Sequence, residues 1–234
     1  MIKIYLSPSN QPHNKYCVGN TNEKVEMEKI AHKVKSILDS EYKCQTIMAS
    51  LSMGIGENER PKEAQNKGCD IYIAIHSNAG GGGKATGAIA FYHPNNAKSK
   101  VFSSLVVEEL NAICPIKSNR SASVKNGMEP FSGAGYGEIR TPTKYGMVSV
   151  LVETNFHDHT ETANWMINNT DSIARAYVNA IVKGFNIAKN TSTSTVTTSK
   201  LYRVQVGAYA QKENAEVMKT KLKAAGFDSI IKYD

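Results

Sequence analysis

Two short apolar runs, Ile71-Tyr-Ile-Ala-Ile75 and Val148-Ser-Val-Leu-Val152, constrain what this chain can fold into more than any other feature. Each is too short for a core helix and rich in β-branched residues, the pattern of a strand buried on both faces. Residues 2–6, 45–49 and 88–92 read as further strands. Between them lie helical patterns. Residues 23–38 place Val25, Met27, Ile30, Ala31, Val34, Ile37 and Leu38 near a period of 3.6, while residues 59–67, 100–113 and 173–187 read as three more helices, the first polar and ending at Gly68. Strands alternating with helices predict an α/β domain with a mostly parallel sheet and helices on both faces.

The run Asn190-Thr-Ser-Thr-Ser-Thr-Val-Thr-Thr-Ser199 contains eight Ser or Thr in ten residues and cannot build a core, so residues 189–200 are expected to be a linker. This divides the chain into a domain over 1–188 and a small module over 201–234. In the module, residues 201–209 alternate as a half-buried strand, 210–225 are an amphipathic helix closed by Gly226, and 229–232 a second strand. So short a β-α-β unit seldom holds a core alone.

Composition narrows the function classes. Twenty-eight Lys and Arg against 21 Asp and Glu give a net charge of +7, which favours an anionic partner. The basic residues are not interleaved with aromatics along one face, so no nucleic-acid surface is expected. No apolar run reaches the ~20 residues of a membrane span, and the first residues lack the h-region and cleavage site of an export signal. The expectation is therefore synthesis in the cytoplasm. Cys17, Cys44, Cys69 and Cys114 form no C-x-x-C pair, and are read as buried free thiols, as suits a reducing cytoplasm.

Polar residues at the C-terminal ends of strands, or at helix starts, are where an open α/β sheet builds its ligand sites. His76 directly follows the strand 71–75, Glu153 follows 148–152, His13 stands in the loop after 2–6, and Glu23 opens the first helix. Two His and one Glu are a recognised set of catalytic zinc ligands, and a second, unbound Glu can act as general base and then acid. Each residue also has a structural explanation: a satisfied polar group after a strand, a solvated strand end, or a carboxylate complementing a helix dipole. His32, His93, His157 and His159 read as surface or packing residues. Gly80-Gly-Gly-Gly83-Lys84 is no phosphate loop, because Asn78 stands where the first Gly belongs and Ala85 follows the Lys; a mobile loop beside His76 is expected instead. Gly54 and Gly56 read as a plain turn.

The wording around these residues goes further. Glu59-Arg60-Pro61, followed by Asp70-Ile-Tyr-Ile-Ala-Ile-His76-Ser-Asn-Ala79, and the stretch Val150-Leu-Val-Glu153-Thr-Asn-Phe156, resemble the zinc-dependent N-acetylmuramoyl-L-alanine amidases of the amidase-3 family over residues 1–188. The loop Ser7-Pro-Ser-Asn-Gln-Pro-His13-Asn14 departs from the family's first-ligand loop but keeps a His after the first strand. Glu23 stands seven residues before Ile30-Ala31, the family's offset, which Glu26 and Glu28 do not meet. The resemblance implies His13, Glu23 and His76 as zinc ligands and Glu153 as acid/base. It further implies a peptidoglycan hydrolase that frees the stem peptide by cutting between muramic acid and L-alanine, such as a phage endolysin or bacterial autolysin reaching the wall after release. Competing readings are a zinc peptidase acting within the stem peptide and a non-catalytic peptidoglycan-binding protein. Tyr202-Arg-Val-Gln-Val-Gly-Ala-Tyr-Ala210 and Leu222-Lys-Ala-Ala-Gly-Phe227 resemble half of a SPOR domain, a peptidoglycan-binding module, which implies self-association with another copy or weak binding alone.

Overall fold

The computed structural model describes residues 1–50, 59–190, 205–227 and 229–232. Residues 51–58, which carry the expected Gly54 turn, and 191–204, which carry most of the expected linker and the start of the tail strand, lie outside them. The chain divides into two compact units, Met1–Thr191 and Ser192–Asp234.

The first unit runs β1 (Ile2–Pro8), α1 (Glu23–Glu41), β2 (Cys44–Met48), α2 (Glu59–Asn66), β3 (Ile71–Asn78), β4 (Ile89–Tyr92), α3 (Ala97–Ile113), β5 (Val124–Asn126), α4 (Gly137–Lys144), β6 (Val148–Phe156), α5 (Thr160–Asn168) and α6 (Thr170–Phe185). Six strands form one sheet in the order β2-β1-β3-β6-β4-β5. The pairs β1/β2, β1/β3, β3/β6 and β4/β5 are parallel, and β4 runs antiparallel to β6. The sheet is thus mostly parallel, with one reversal.

Alternation along the central strands sorts the core into two layers. Ile71, Ile73 and Ile75 of β3 join Ile4 and Leu6 of β1 and Val150 and Val152 of β6 in a cluster with residues of α1, α3 and α6. The intervening Tyr72 and Ala74, with Tyr5 and Leu151, join Ala64 of α2 and Ile139 of α4 on the other face. Both faces are covered, which is why the strands read as continuous apolar runs.

Two ends of the unit are fastened. Asn22 caps α1, its side chain accepting from Val25 N at 3.1 Å, which satisfies one of the free amides of the first turn. At the other end of α1, Asn190 N donates to Glu41 O at 2.8 Å and Lys43 N to Ala188 O at 2.9 Å. Residues 189 and 190, expected in the linker, are therefore sewn to the first unit.

Three elements were not legible in the sequence: β5, α4 and α5. The loop at 80–83 also departs from expectation. It is a short 3₁₀ turn over Gly81–Gly83, and Gly80 N and Gly83 N both donate to Asp158 Oδ2, at 2.8 and 3.3 Å. Gly83 is required there, since its φ is +72° and a Cβ would stand 2.9 Å from the Asp158 carbonyl oxygen. Cys44, Cys69 and Cys114 are buried free thiols as expected, but Cys17, on the irregular loop between β1 and α1, is exposed. In the second unit α7 (Lys212–Ala224) forms as expected but buries no residue. Among the described residues there, 205–209 and 229–232 are not strands, because a strand needs a paired neighbour and a helix face that covers it.

Ile73 sits at the centre of the sheet with no exposed surface. Ile73→Ala is expected to cost about 2–5 kcal/mol, read as a lower urea midpoint with an unchanged slope.

Candidate active site

The alternation that builds the core also collects polar side chains. Ser7 on β1, Tyr72 and His76 on β3, and Glu153 on β6 share the face covered by α2 and α4. The parallel register sets His76 directly beside Glu153, followed by an irregularity between His76 and Asn78. Both strands run on past the expected apolar runs, so these residues lie within strands at the sheet's C-terminal edge rather than in the loops beyond it.

Glu23 is brought to His76 by the start of α1. Its amide donates to Asn14 O at 2.9 Å, and its Oε2 accepts from Asn14 Nδ2 at 2.6 Å. Its Oε1 meets His76 Nδ1 at 2.9 Å. Gln11 Nε2 lies 3.3 Å from the same nitrogen, while its Oε1 accepts from Asn14 Nδ2 at 3.1 Å. On the far side of the ring, His76 Nε2 meets Glu138 Oε2 at 2.9 Å. Glu138 Oε1 accepts from Ser7 Oγ at 2.5 Å and from the Tyr72 hydroxyl at 2.8 Å. Ser7 Oγ accepts in turn from Arg60 Nη1 at 3.0 Å, and Arg60, with no exposed surface, also donates to Pro8 O.

Three carboxylates therefore surround one buried imidazole. Burial disfavours charge on His76, but hydrogen bonds to Glu138 and Glu23 and the charges of Glu138 and Glu153 outweigh it and hold its pKa well above the imidazole range. Burial likewise raises the pKa of Glu23 and Glu138; bonds from His76 and its charge, joined by Asn14 at Glu23 and by Ser7 and Tyr72 at Glu138, bring both below the usual carboxylate value. Glu153 has no such donors. Its Oε2 is shut off from solvent and has no hydrogen-bond partner among the described residues. Burial raises its pKa, the His76 charge opposes this, and the Glu23 and Glu138 charges add to it, with the result at about 7. A carboxylate with a pKa near neutrality can both take up and release a proton.

Of the expected site residues, the fold thus brings Glu23, His76 and Glu153 together. His13 is exposed, and among the described residues no three His, Cys, Asp or Glu side chains form a ready cage for a metal ion. His157 is a packing residue: its ring stacks on Tyr16 at 5.1 Å and its Nδ1 meets Ser77 Oγ at 3.0 Å. His32 is exposed, and His159 caps α5. Glu138 is the residue that sequence reasoning missed. Its only signal is an acidic residue in the first turn of a short helix behind the glycine-rich segment 133–137.

Residues 4–183 match the family model described as N-acetylmuramoyl-L-alanine amidase, and residues 172–233 match that of the SPOR domain. The two matches overlap within α6. A sporulation-specific N-acetylmuramoyl-L-alanine amidase of Bacillus subtilis (strain 168) is 28% identical over 237 residues, covering 99% of this chain and 84% of the relative. Among solved structures, an N-acetylmuramoyl-L-alanine amidase from Clostridium difficile 630 superposes with a TM-score of 0.66 at 19% identity, over 79% of this chain and 97% of that one. The catalytic domain of CwlV, an amidase from Bacillus (Paenibacillus) polymyxa var. colistinus, gives 0.66 at 18% identity, over 80% of this chain and 100% of that one. At such identities the superpositions establish the fold.

These charges set a pH dependence of stability in chelator-treated protein. Glu23 and Glu138, depressed below 4.5, stabilise above that value and cease to as pH falls through their folded pKa. His76, raised above 6.5, stabilises fully below that value and progressively less as pH rises. Glu153, raised from 4.5 to about 7, favours the folded state at low pH and loses that effect between the two values. The thermal midpoint is expected to fall from pH 5 to pH 8, and Glu153→Gln to flatten the part between 5 and 7. A wild-type profile that rises over this range would refute the charge assignment.

Proposed function

The chain belongs to the N-acetylmuramoyl-L-alanine amidase family, peptidoglycan hydrolases that cut the amide between N-acetylmuramic acid and L-alanine, and from that premise we propose that Glu23 and His76 hold a zinc ion while Glu153 carries the proton. What supports zinc here is the chemistry of the donors. Glu23 Oε1 and His76 Nδ1 converge within 2.9 Å, and a buried site with three carboxylates and one imidazole has an excess of negative charge that a divalent cation would neutralise. His13 stands two residues beyond Gln11, whose side chain already reaches His76. It is the candidate third ligand, and its exposed ring must turn inward to serve.

The chemistry that zinc supplies in such a site is polarisation of the scissile carbonyl and a water that loses its proton near neutrality. The protein's own contribution is at Glu153. Its unpartnered Oε2 receives the proton of the attacking water and then delivers it to the departing L-alanine nitrogen, leaving a glycan carrying free lactyl carboxylates and a free stem peptide. Its pKa of about 7 suits both halves of that cycle. The single observation that supports the reading is the pairing of His76 with Glu153 across β3 and β6, which sets an unpartnered carboxylate oxygen beside the imidazole.

Digestion of purified peptidoglycan followed by mass analysis is expected to yield new L-alanine amino termini and intact muramic acid; internal cuts in the stem peptide would instead mean a peptidase. Glu153→Gln should lower turnover by about 10²- to 10⁴-fold with zinc content unchanged. His76→Ala and His13→Ala should lose zinc, and full occupancy in either would remove that residue from the ligand set.

The SPOR match makes peptidoglycan the partner of the tail as well. We further propose that the tail associates with a second copy, supported by Val206, Tyr209, Val217, Phe227, Ile230 and Ile231 all standing exposed on so small a unit. Removing residues 191–234 is expected to leave cleavage of soluble fragments intact, weaken action on whole walls and abolish any concentration-dependent dimer in sedimentation. Equal wall binding after the truncation would deny the tail its tethering role.

A further inference from the structure

Glu138 comes from a helix that the sequence did not reveal, and none of the roles assigned above uses it. Its two oxygens are engaged differently. Oε1 takes the Ser7 hydroxyl at 2.5 Å and the Tyr72 hydroxyl at 2.8 Å. The direction of the first bond is set by charge: an ionised Glu138 only accepts, so the Ser7 hydroxyl donates to it, while the Ser7 oxygen accepts from Arg60 Nη1 and lies 3.0 Å from the Tyr72 hydroxyl. Oε2 is left to face His76 Nε2 at 2.9 Å. An ionised carboxylate can only accept, so with no cation present the ring donates from Nε2 to Glu138 and from Nδ1 to Glu23; a cation entering on the Glu23 side displaces the Nδ1 hydrogen, while Glu138, turned away from that side, keeps the one on Nε2. Nδ1 is the nitrogen beside Glu23 Oε1 and Gln11 Nε2.

We propose that Glu138 is the positioning residue of this site: held by Ser7 and Tyr72, its carboxylate keeps the proton on Nε2 of His76 and presents Nδ1, on the Glu23 side, to the cation. The inference rests on the zinc reading of Glu23 and His76. It gives the buried line Arg60, Ser7, Glu138, His76 a purpose beyond packing, since each member orients the next and the last orients a ligand. Carboxylates placed behind a metal-binding imidazole in this way fix its ring and tautomer.

Glu138→Gln is nearly isosteric and inverts the pattern. Its amide oxygen can still accept from Ser7 and Tyr72, so its NH₂ faces Nε2 and drives the ring proton onto Nδ1. Zinc affinity, measured by competition with a chromophoric chelator, is expected to fall about 10- to 100-fold. In protein labelled with ¹⁵N at histidine and loaded with zinc, His76 of the wild type should show its proton on Nε2 and metal on Nδ1, a signature that a merely structural role would not set. Ser7→Ala and Tyr72→Phe keep Glu138 but loosen it, and each should weaken zinc binding by a smaller factor; these decide the matter should Glu138→Gln fail to fold. A wild type that binds zinc, with variants that bind it as tightly, overturns this inference alone. The opposite ¹⁵N pattern in the wild type does the same. A wild type that takes up no zinc overturns the metal reading and this inference with it.

Discussion

Parallel pairing of β3 with β6 is the constraint from which the site follows. Once Ile71 is opposite Val148, every later pair is fixed, and His76 falls opposite Glu153. Alternation then decides the face. Odd-numbered isoleucines of β3 go to the layer built by α1, α3 and α6, so Tyr72, Ala74 and His76 go to the other. A slip of one residue would turn His76 toward the larger apolar cluster and Tyr72 away from Glu138. The apolar pattern of the core thus holds the chemical residues in place, and no separate device is needed to bring a histidine and a glutamate together from positions far apart in the sequence.

The charges in that pocket explain one another. A buried imidazolium is costly alone, and so is a buried carboxylate. Here Glu23 and Glu138 clasp opposite nitrogens of His76, and each is further supplied with neutral donors, Asn14 in one case and Ser7 and Tyr72 in the other. Glu153 is the member whose buried Oε2 has no donor among the described residues. The difference between well-furnished and unfurnished carboxylates separates their proton affinities, with Glu23 and Glu138 depressed and Glu153 raised to about 7.

Much of this was legible beforehand, because β3, β6 and α1 are long and strongly patterned and their wording around His76, Glu153 and Glu23 is specific. What escaped did so for physical reasons. Helix α4 is eight residues long with Pro142 inside it, so its pattern reads as a turn, and Glu138 went unseen with it. Strand β5 has three residues, too few for a period to register. The loop at 80–83 reads as mobile from its glycines, but those glycines serve a close approach to Asp158, a partner far away in sequence. His13 fits a ligand by residue type and by its place after β1, yet the neighbours on that loop that reach inward are Gln11 and Asn14; side-chain direction in an irregular loop has no periodicity to reveal it.

The stitching of residues 188–190 onto the start of β2 and the end of α1 has a mechanical meaning. Helix α1 is 19 residues long, so its two ends stand about 27 Å apart at 1.5 Å per residue, with Glu23 at one and Glu41 at the other. Any pull transmitted along the tail enters at the Glu41 end. Backbone hydrogen bonds at that end tie the departing chain to α1 and to Lys43, ahead of β2, a full helix length from Glu23. Tension entering by that route would meet those backbone bonds before it reached the carboxylate at the other pole.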